Sequence, residues 1–174
     1  DKIIKAVGDI LAEPGGSRRI GVNAIAQRAG VDKVLIYRYF GGVDGLLVAY
    51  AEKSDLWPTV ADAQRERTMP PEGDLAQALA ALVQGYLAAL RRRPATLEAI
   101  AWDMGEKNAI SPSLDVFREQ WRRDATAHVF RHHKVPARVD IEAVMALLAA
   151  AADHLAARGR LGGEGHLMAR GLLD

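Results

Sequence analysis

The segment Ala26-Gln27-Arg28-Ala29-Gly30-Val31, followed five residues later by Ile36, constrains this chain more than any other stretch. Two short helices cross closely only when a small residue sits at their contact, the turn accepts a left-handed backbone, and apolar side chains plug the junction. Ala26, Gly30, Val31 and Ile36 supply those properties in that order. The flanks agree. Val22 to Ala29 collects Val22, Ile25, Ala26 and Ala29 on one face and stops at Gly30, which predicts a short helix with a glycine C-cap. Asp32 stands where an N-cap belongs, and Lys33 to Phe40 forms the next helix, closed by Gly41-Gly42.

With Ile36 turned inward, helical geometry puts Phe40 on the same side, Val34 and Arg38 outward, and Leu35 and Tyr37 on the flanks. Lys33, Tyr37 and Arg38 then donate to phosphates or base edges, with Val34 and Tyr39 as further DNA-binding candidates, while Leu35 offers apolar contact to a thymine methyl. Arg18, Arg19 and Arg28 flank the helix as phosphate contacts. A major-groove reading helix fits this face; the plainer alternative is a helical hairpin with a solvated charged surface.

The remaining pattern is helical throughout. Ile3, Ile4, Val7, Ile10 and Leu11 form an amphipathic stripe that ends before Pro14, and a fourth helix runs from Asp44 towards Trp57-Pro58. Thr68 to Gly73 reads as a loop, followed by Leu75 to Leu90 and a shorter helix from Ala95 to about Glu106. Ser111-Pro112 opens a long helix to about His133, Asp140 to Arg158 another, and Gly165 to Leu173 a last one. Hydrophobic residues make up 49% of the 174 and aromatics only 6%, which favours helix packed on helix, so the fold class is all-α.

Several functions are disfavoured by what the chain holds. It has no cysteine, which removes thiolate catalysis and thiolate metal sites and fits a cytoplasmic protein. The longest apolar stretch, Ala143 to Ala152, is too short to span a bilayer, where about 20 residues are needed. His128, His132 and Asp124 have a metal-ligand spacing, but Arg131 to Lys134 make a basic helix end the better reading, so no metal or cofactor is expected. Gly162-Gly163-Glu164-Gly165 lacks the strand and lysine of a phosphate loop, and no catalytic set supports an enzyme. The net charge of +1 means that any nucleic-acid signal is local.

Beyond the first helices, Tyr86, Trp102, Met104, Phe117, Trp121 and Met145 are the bulky residues expected to line a largely apolar effector pocket, with Asp103, Glu98 or His128 as polar groups. Their plainer role is core. The helix from Ile141 to Ala157 carries an apolar surface too broad for one buried stripe. Leu148, Ala152 and Leu155, with Leu167 and Arg170 of the last helix, are its expected homodimer contacts.

Ile25-Ala26, Ala29-Gly30-Val31, Tyr37-Arg38-Tyr39-Phe40 and Leu46-Leu47 resemble the signature of the tetracycline-repressor (TetR) family over about Ile3 to Ala51. The resemblance implies a helix-turn-helix domain over residues 1–45 and a helical effector and dimerisation domain over 46–174. It further implies a homodimeric regulator, usually a repressor, that reads a palindromic operator and is released by a small molecule. The chain departs from that pattern at Gly21, where a capping Thr or Ser is usual, at Val34 and Leu35 for Gly and Thr, and at Val43 for a phosphate-holding Lys. Fewer polar donors remain, so the alternative is a helical ligand-binding or adaptor protein with weak or no specific DNA binding.

Overall fold

The computed structural model describes residues 1–67 and 74–161, which form helices and, among the described residues, no strand. The helices are α1 (Lys2–Ala12), α2 (Gly16–Arg19), α3 (Val22–Ala29), α4 (Val34–Phe40) and α5 (Val43–Lys53), then α6 (Val60–Glu66), α7 (Leu75–Arg91), α8 (Pro94–Gly105), α9 (Ser111–His132) and α10 (Ile141–Leu161). The loop expected at Thr68 to Gly73, the Gly162 to Gly165 turn and the helix expected at Gly165 to Leu173 lie outside the described residues. No single described helix is long and apolar enough to cross a membrane.

Packing divides the described chain into two units. The first takes Asp1–Leu56, Arg93–Ser113 and residues 157–161; the second takes Trp57–Arg92 and Leu114–Ala156.

In the first unit α1 is the central element. Its spacing of Ala6, Val7, Ile10 and Leu11 gives one continuous apolar face, and that face packs against α2, α3, α5 and α8. Helix α8 therefore joins the N-terminal helices although it lies far along the chain. It enters with Pro94 at its first position and buries Thr96, Glu98, Ala99 and Ile100. Two links fasten its start: the Thr96 hydroxyl donates to the Leu56 carbonyl, and Arg93 pairs with Asp55 at 3.1 Å. The helix expected to run from Asp44 towards Trp57 stops at Lys53, where the Ser54 hydroxyl donates to the Tyr50 carbonyl at 2.6 Å and the backbone turns extended. The Ser111 hydroxyl, expected to cap α9, instead accepts the Asn108 backbone N–H at 3.0 Å.

The second unit is built on α6 against α7. Helix α6 starts at a capping box: the Thr59 hydroxyl accepts the Asp62 N–H at 3.1 Å, and the Asp62 carboxylate accepts the Thr59 N–H at 2.8 Å. The two helices meet at Gly85, where a Cβ would stand 2.1 Å from the Ala63 carbonyl oxygen, so only glycine permits this approach. Helix α9 turns Leu114, Trp121, Ala125 and Val129 inward, and α10 turns Ile141, Met145, Ala152 and Ala156 inward.

Candidate nucleic-acid interface

The α3–α4 turn has the geometry its sequence demands. Gly30 is left-handed at φ 64, and the Val31 N–H reaches back to the Ala26 carbonyl at 3.0 Å while the Gly30 N–H bonds Gln27 at 3.3 Å. This paired closure satisfies the carbonyls at the end of α3 and fixes the direction in which α4 leaves. The helix begins at Val34 rather than Lys33, so the N-cap position falls on Lys33, which makes no side-chain cap, and Asp32, expected there, stands one residue earlier and accepts the Val34 N–H at 2.8 Å.

Ile36 is wholly buried and Leu35 and Phe40 are half-buried, which leaves the opposite face to solvent. Val34, Tyr37 and Tyr39 are 60%, 56% and 65% exposed, with Lys33 and Arg38 beside them. Three large apolar or aromatic side chains out of seven residues make a surface poorly suited to water alone. The Arg38 guanidinium lies over the Tyr39 ring at 5.8 Å, which holds a cation on that surface.

The flanking arginines separate into two kinds. Arg19 and Arg28 both close on Glu13, at 2.8 Å and 2.6 Å, and Arg19 also reaches the Pro14 carbonyl at 3.3 Å. The hydrogen bond from Arg28, then that from Arg19, holds the Glu13 carboxyl below its ordinary range, and Glu13 in turn raises Arg28. A concavity of about 430 Å³ opens beside them, lined by Ile10, Glu13, Arg19, Ala24, Gln27 and Arg28. Arg18 is exposed and takes no part in this cluster. Nothing in the pattern around Glu13 announced its double pairing, because its partners are set by folding rather than by helical spacing.

The six residues expected around an effector do not gather in one unit. Trp102 and Met104 belong to α8 of the first unit, where the Trp102 N–H donates to Glu106 at 2.9 Å and Met104 is exposed. Tyr86, Phe117, Trp121 and Met145 belong to the second unit. There Tyr86 stacks on Trp121 with ring centres 3.9 Å apart, and Phe117 lies against Trp57 at 6.2 Å. Sequence reading missed the polar centre of this cluster. Asp153, buried on α10, accepts the Tyr86 hydroxyl at 2.8 Å and the Arg118 Nε at 3.0 Å. Burial first, then the Asp153 charge, pushes the Tyr86 phenol well above its ordinary value.

Of the other polar candidates, Glu98 is buried against Ser17 and Asp103 pairs with Lys107 at 3.0 Å. His128 shares a hydrogen bond of 2.9 Å with Gln64, and burial, with His132, Arg131 and His133 nearby, lowers its pKa. Among the described residues no group of three metal-ligating side chains comes together. On α10, Leu155 is 51% exposed and Leu148 half-buried, whereas Ala152 faces its own unit's core and is 1% exposed. Ala152 therefore packs the protomer rather than presenting itself to a partner. Leu167 and Arg170 lie outside the described residues.

A short exposed helix, carrying cations and aromatics and fixed by a buried isoleucine across a glycine turn, defines a helix-turn-helix DNA-binding transcription regulator. Residues 10–50, from the last turn of α1 to Tyr50 of α5, match the family described as bacterial regulatory proteins, tetR family. Over this segment the chain is similar to the DNA-binding domain of TetR-family regulators. Its fold is similar to that of the fatty acid degradation regulator FadR from Bacillus halodurans, with a TM-score of 0.62 at 18% identity over 91% of this chain and 82% of that one. At that identity the likeness is one of fold. No curated protein matches the chain closely in sequence.

Proposed function

We propose that this protein is a cytoplasmic, non-enzymatic repressor that binds a palindromic operator as a homodimer and is released by a small, largely apolar effector. Residues 1–45 read the DNA, and residues 46–174 hold the effector and the dimer contacts. The observation that carries the reading is the outer face of α4, where Lys33, Val34, Tyr37, Arg38 and Tyr39 all stand exposed on a helix anchored by Ile36. Lysine and arginine there meet phosphates or guanine edges, and the tyrosines and valine meet sugars and thymine methyls. An aromatic cluster in the second unit, Tyr86, Trp121, Phe117 and Trp57, with Asp153 and Arg118 as its polar groups, supports an effector with an apolar body. The likeness in fold to a fatty acid degradation regulator is in keeping with such a body. Release follows if the effector prefers a dimer state whose recognition helices no longer match successive grooves.

Fluorescence anisotropy on the DNA flanking the protein's own gene, against scrambled competitor at two salt concentrations, tests this. Tight binding that survives competitor is the expected result. Weak binding that vanishes with salt favours a second reading, a helical ligand-binding or adaptor protein with little specific DNA affinity. One feature speaks for that second reading: α3 and α5 begin at Gly21 and Gly42 with no side-chain cap to hand on to a phosphate.

A further inference from the structure

Among the three arginines that flank the helix pair, Arg19 and Arg28 share the Glu13 carboxylate, while Arg18 has no hydrogen-bond or ion-pair partner among the described residues. A phosphate approaching Arg19 or Arg28 must compete with a carboxylate already in contact. One approaching Arg18 need not. Arg18 is thus the flanking cation best placed to add to DNA affinity, provided its backbone is held still.

Helix α2, which carries Arg18, has only four residues and no side-chain cap of its own. A single turn is not self-supporting, because helix nucleation fixes several dihedrals for very few hydrogen bonds. Its orientation is imposed from elsewhere. Glu98 of α8, 81 residues further along the chain, accepts the Ser17 backbone N–H at 3.1 Å and the Ser17 hydroxyl at 2.7 Å. Glu98 as a whole is 4% exposed. A carboxyl group so buried is tolerated only while its hydrogen bonds are kept, so α8 grips the first turn of α2 at the residue next to Arg18. Packing of α2 against both α1 and α8 completes the seat.

We propose that Glu98 is a positioning residue for DNA binding: by fixing Ser17 it sets Arg18 against the operator backbone. This rests on the DNA-binding reading above and extends it to a residue outside the 10–50 segment that matches the family. It also makes operator affinity answer to the placement of α8 through one identifiable hydrogen-bonded pair.

The test is the salt dependence of operator binding by the full chain, for wild type, Arg18→Ala, Glu98→Ala, Glu98→Gln, Ser17→Ala and the Arg18→Ala/Glu98→Ala double variant. Loss of one phosphate contact flattens the plot of log K against log salt by about 0.9 per protomer bound. Arg18→Ala and Glu98→Ala should each show that flattening, Ser17→Ala a smaller one, and Glu98→Gln, which keeps an acceptor for Ser17, a partial recovery. The double variant should have the slope of Arg18→Ala alone, because the cation that Glu98 positions is already gone. A Glu98→Ala slope equal to that of wild type, or slope losses that add in the double variant, overturns the proposal. Should Glu98→Ala fail to fold, Ser17→Ala, which deletes one half-buried hydroxyl, decides by the same slope. Absence of competitor-resistant binding in the wild type overturns the DNA-binding reading itself, an outcome seen before any variant is compared.

Discussion

Lys33, immediately before α4, and Tyr37, in its middle, stand four residues apart, both exposed, and neither carries any of the unit's core. Truncating such side chains leaves folding stability within about 0.5 kcal/mol. If they contact DNA, Lys33→Ala and Tyr37→Ala should each weaken operator binding by about tenfold, which is roughly 1.4 kcal/mol and in the range of one base or phosphate contact. Anisotropy titration beside thermal unfolding checks both halves; loss of the fold in both variants would mean that the outward face of α4 is misassigned. Tyr86 is the opposite kind of residue, fully buried with its hydroxyl on Asp153 at 2.8 Å. Tyr86→Phe keeps the stack on Trp121 but deprives a buried carboxylate of one donor, at a cost of about 1–3 kcal/mol read from urea unfolding. The pH dependence has a definite sign. Because the phenol is raised above its ordinary 10.0 in the fold, the unfolded chain ionises first as pH climbs past that value, and stability falls with further alkali. In Tyr86→Phe that part of the alkaline loss should disappear.

At the level of the helices, Gly21 offers an accessible change. Its φ of −175 is extended backbone that any residue adopts, and a Cβ there would meet nothing within 4 Å. Gly21→Thr should therefore supply the missing cap of α3, adding a few tenths of a kcal/mol to stability. It should also tighten operator binding by about tenfold, the size of one hydrogen bond to a charged oxygen. Unchanged affinity with raised stability would place the start of α3 away from the DNA backbone. The same elements show how far a sequence carries. Helices α1, α3, α4, α7, α9 and α10 follow from apolar spacing and punctuation, and once Ile36 is set inward the exposed face of α4 follows from helical geometry alone. Helices α2 and α6 did not emerge, since Gly16–Arg19 and Val60–Glu66 are too short and too polar to establish a period. For α6 the Thr59-x-x-Asp62 spacing was a usable local signal. Nothing local announces that α8 packs on α1, or that Glu98 meets Ser17, because periodicity specifies which face is buried and leaves the partner open.

The largest question at the scale of the molecule is what covers the outer face of α10. Its inward side is filled by Ile141, Met145, Ala152 and Ala156, yet Leu147 and Leu155 stand 73% and 51% exposed, separated by exposed Ala150 and Ala151. Leucines two turns apart, with Ala150, Ala151 and the imidazole of His154 on the exposed side between them, offer a strip on which a second copy of the helix can lie. Two-fold pairing there would set two α4 helices on one operator, each raising the effective concentration of the other at its half-site. Charging the strip separates these contributions. Leu147→Glu with Leu155→Glu should leave the protomer folded, since neither side chain is in its core, and turn a dimer into a monomer in sedimentation velocity. The monomer should keep its affinity for an isolated half-site and lose at least about 100-fold for the full palindrome, the lower end of what linked binding supplies. A double variant that still sediments as a dimer would mean that the protomers meet through another surface. A monomer with undiminished affinity for the palindrome would mean that each α4 reads its half-site alone.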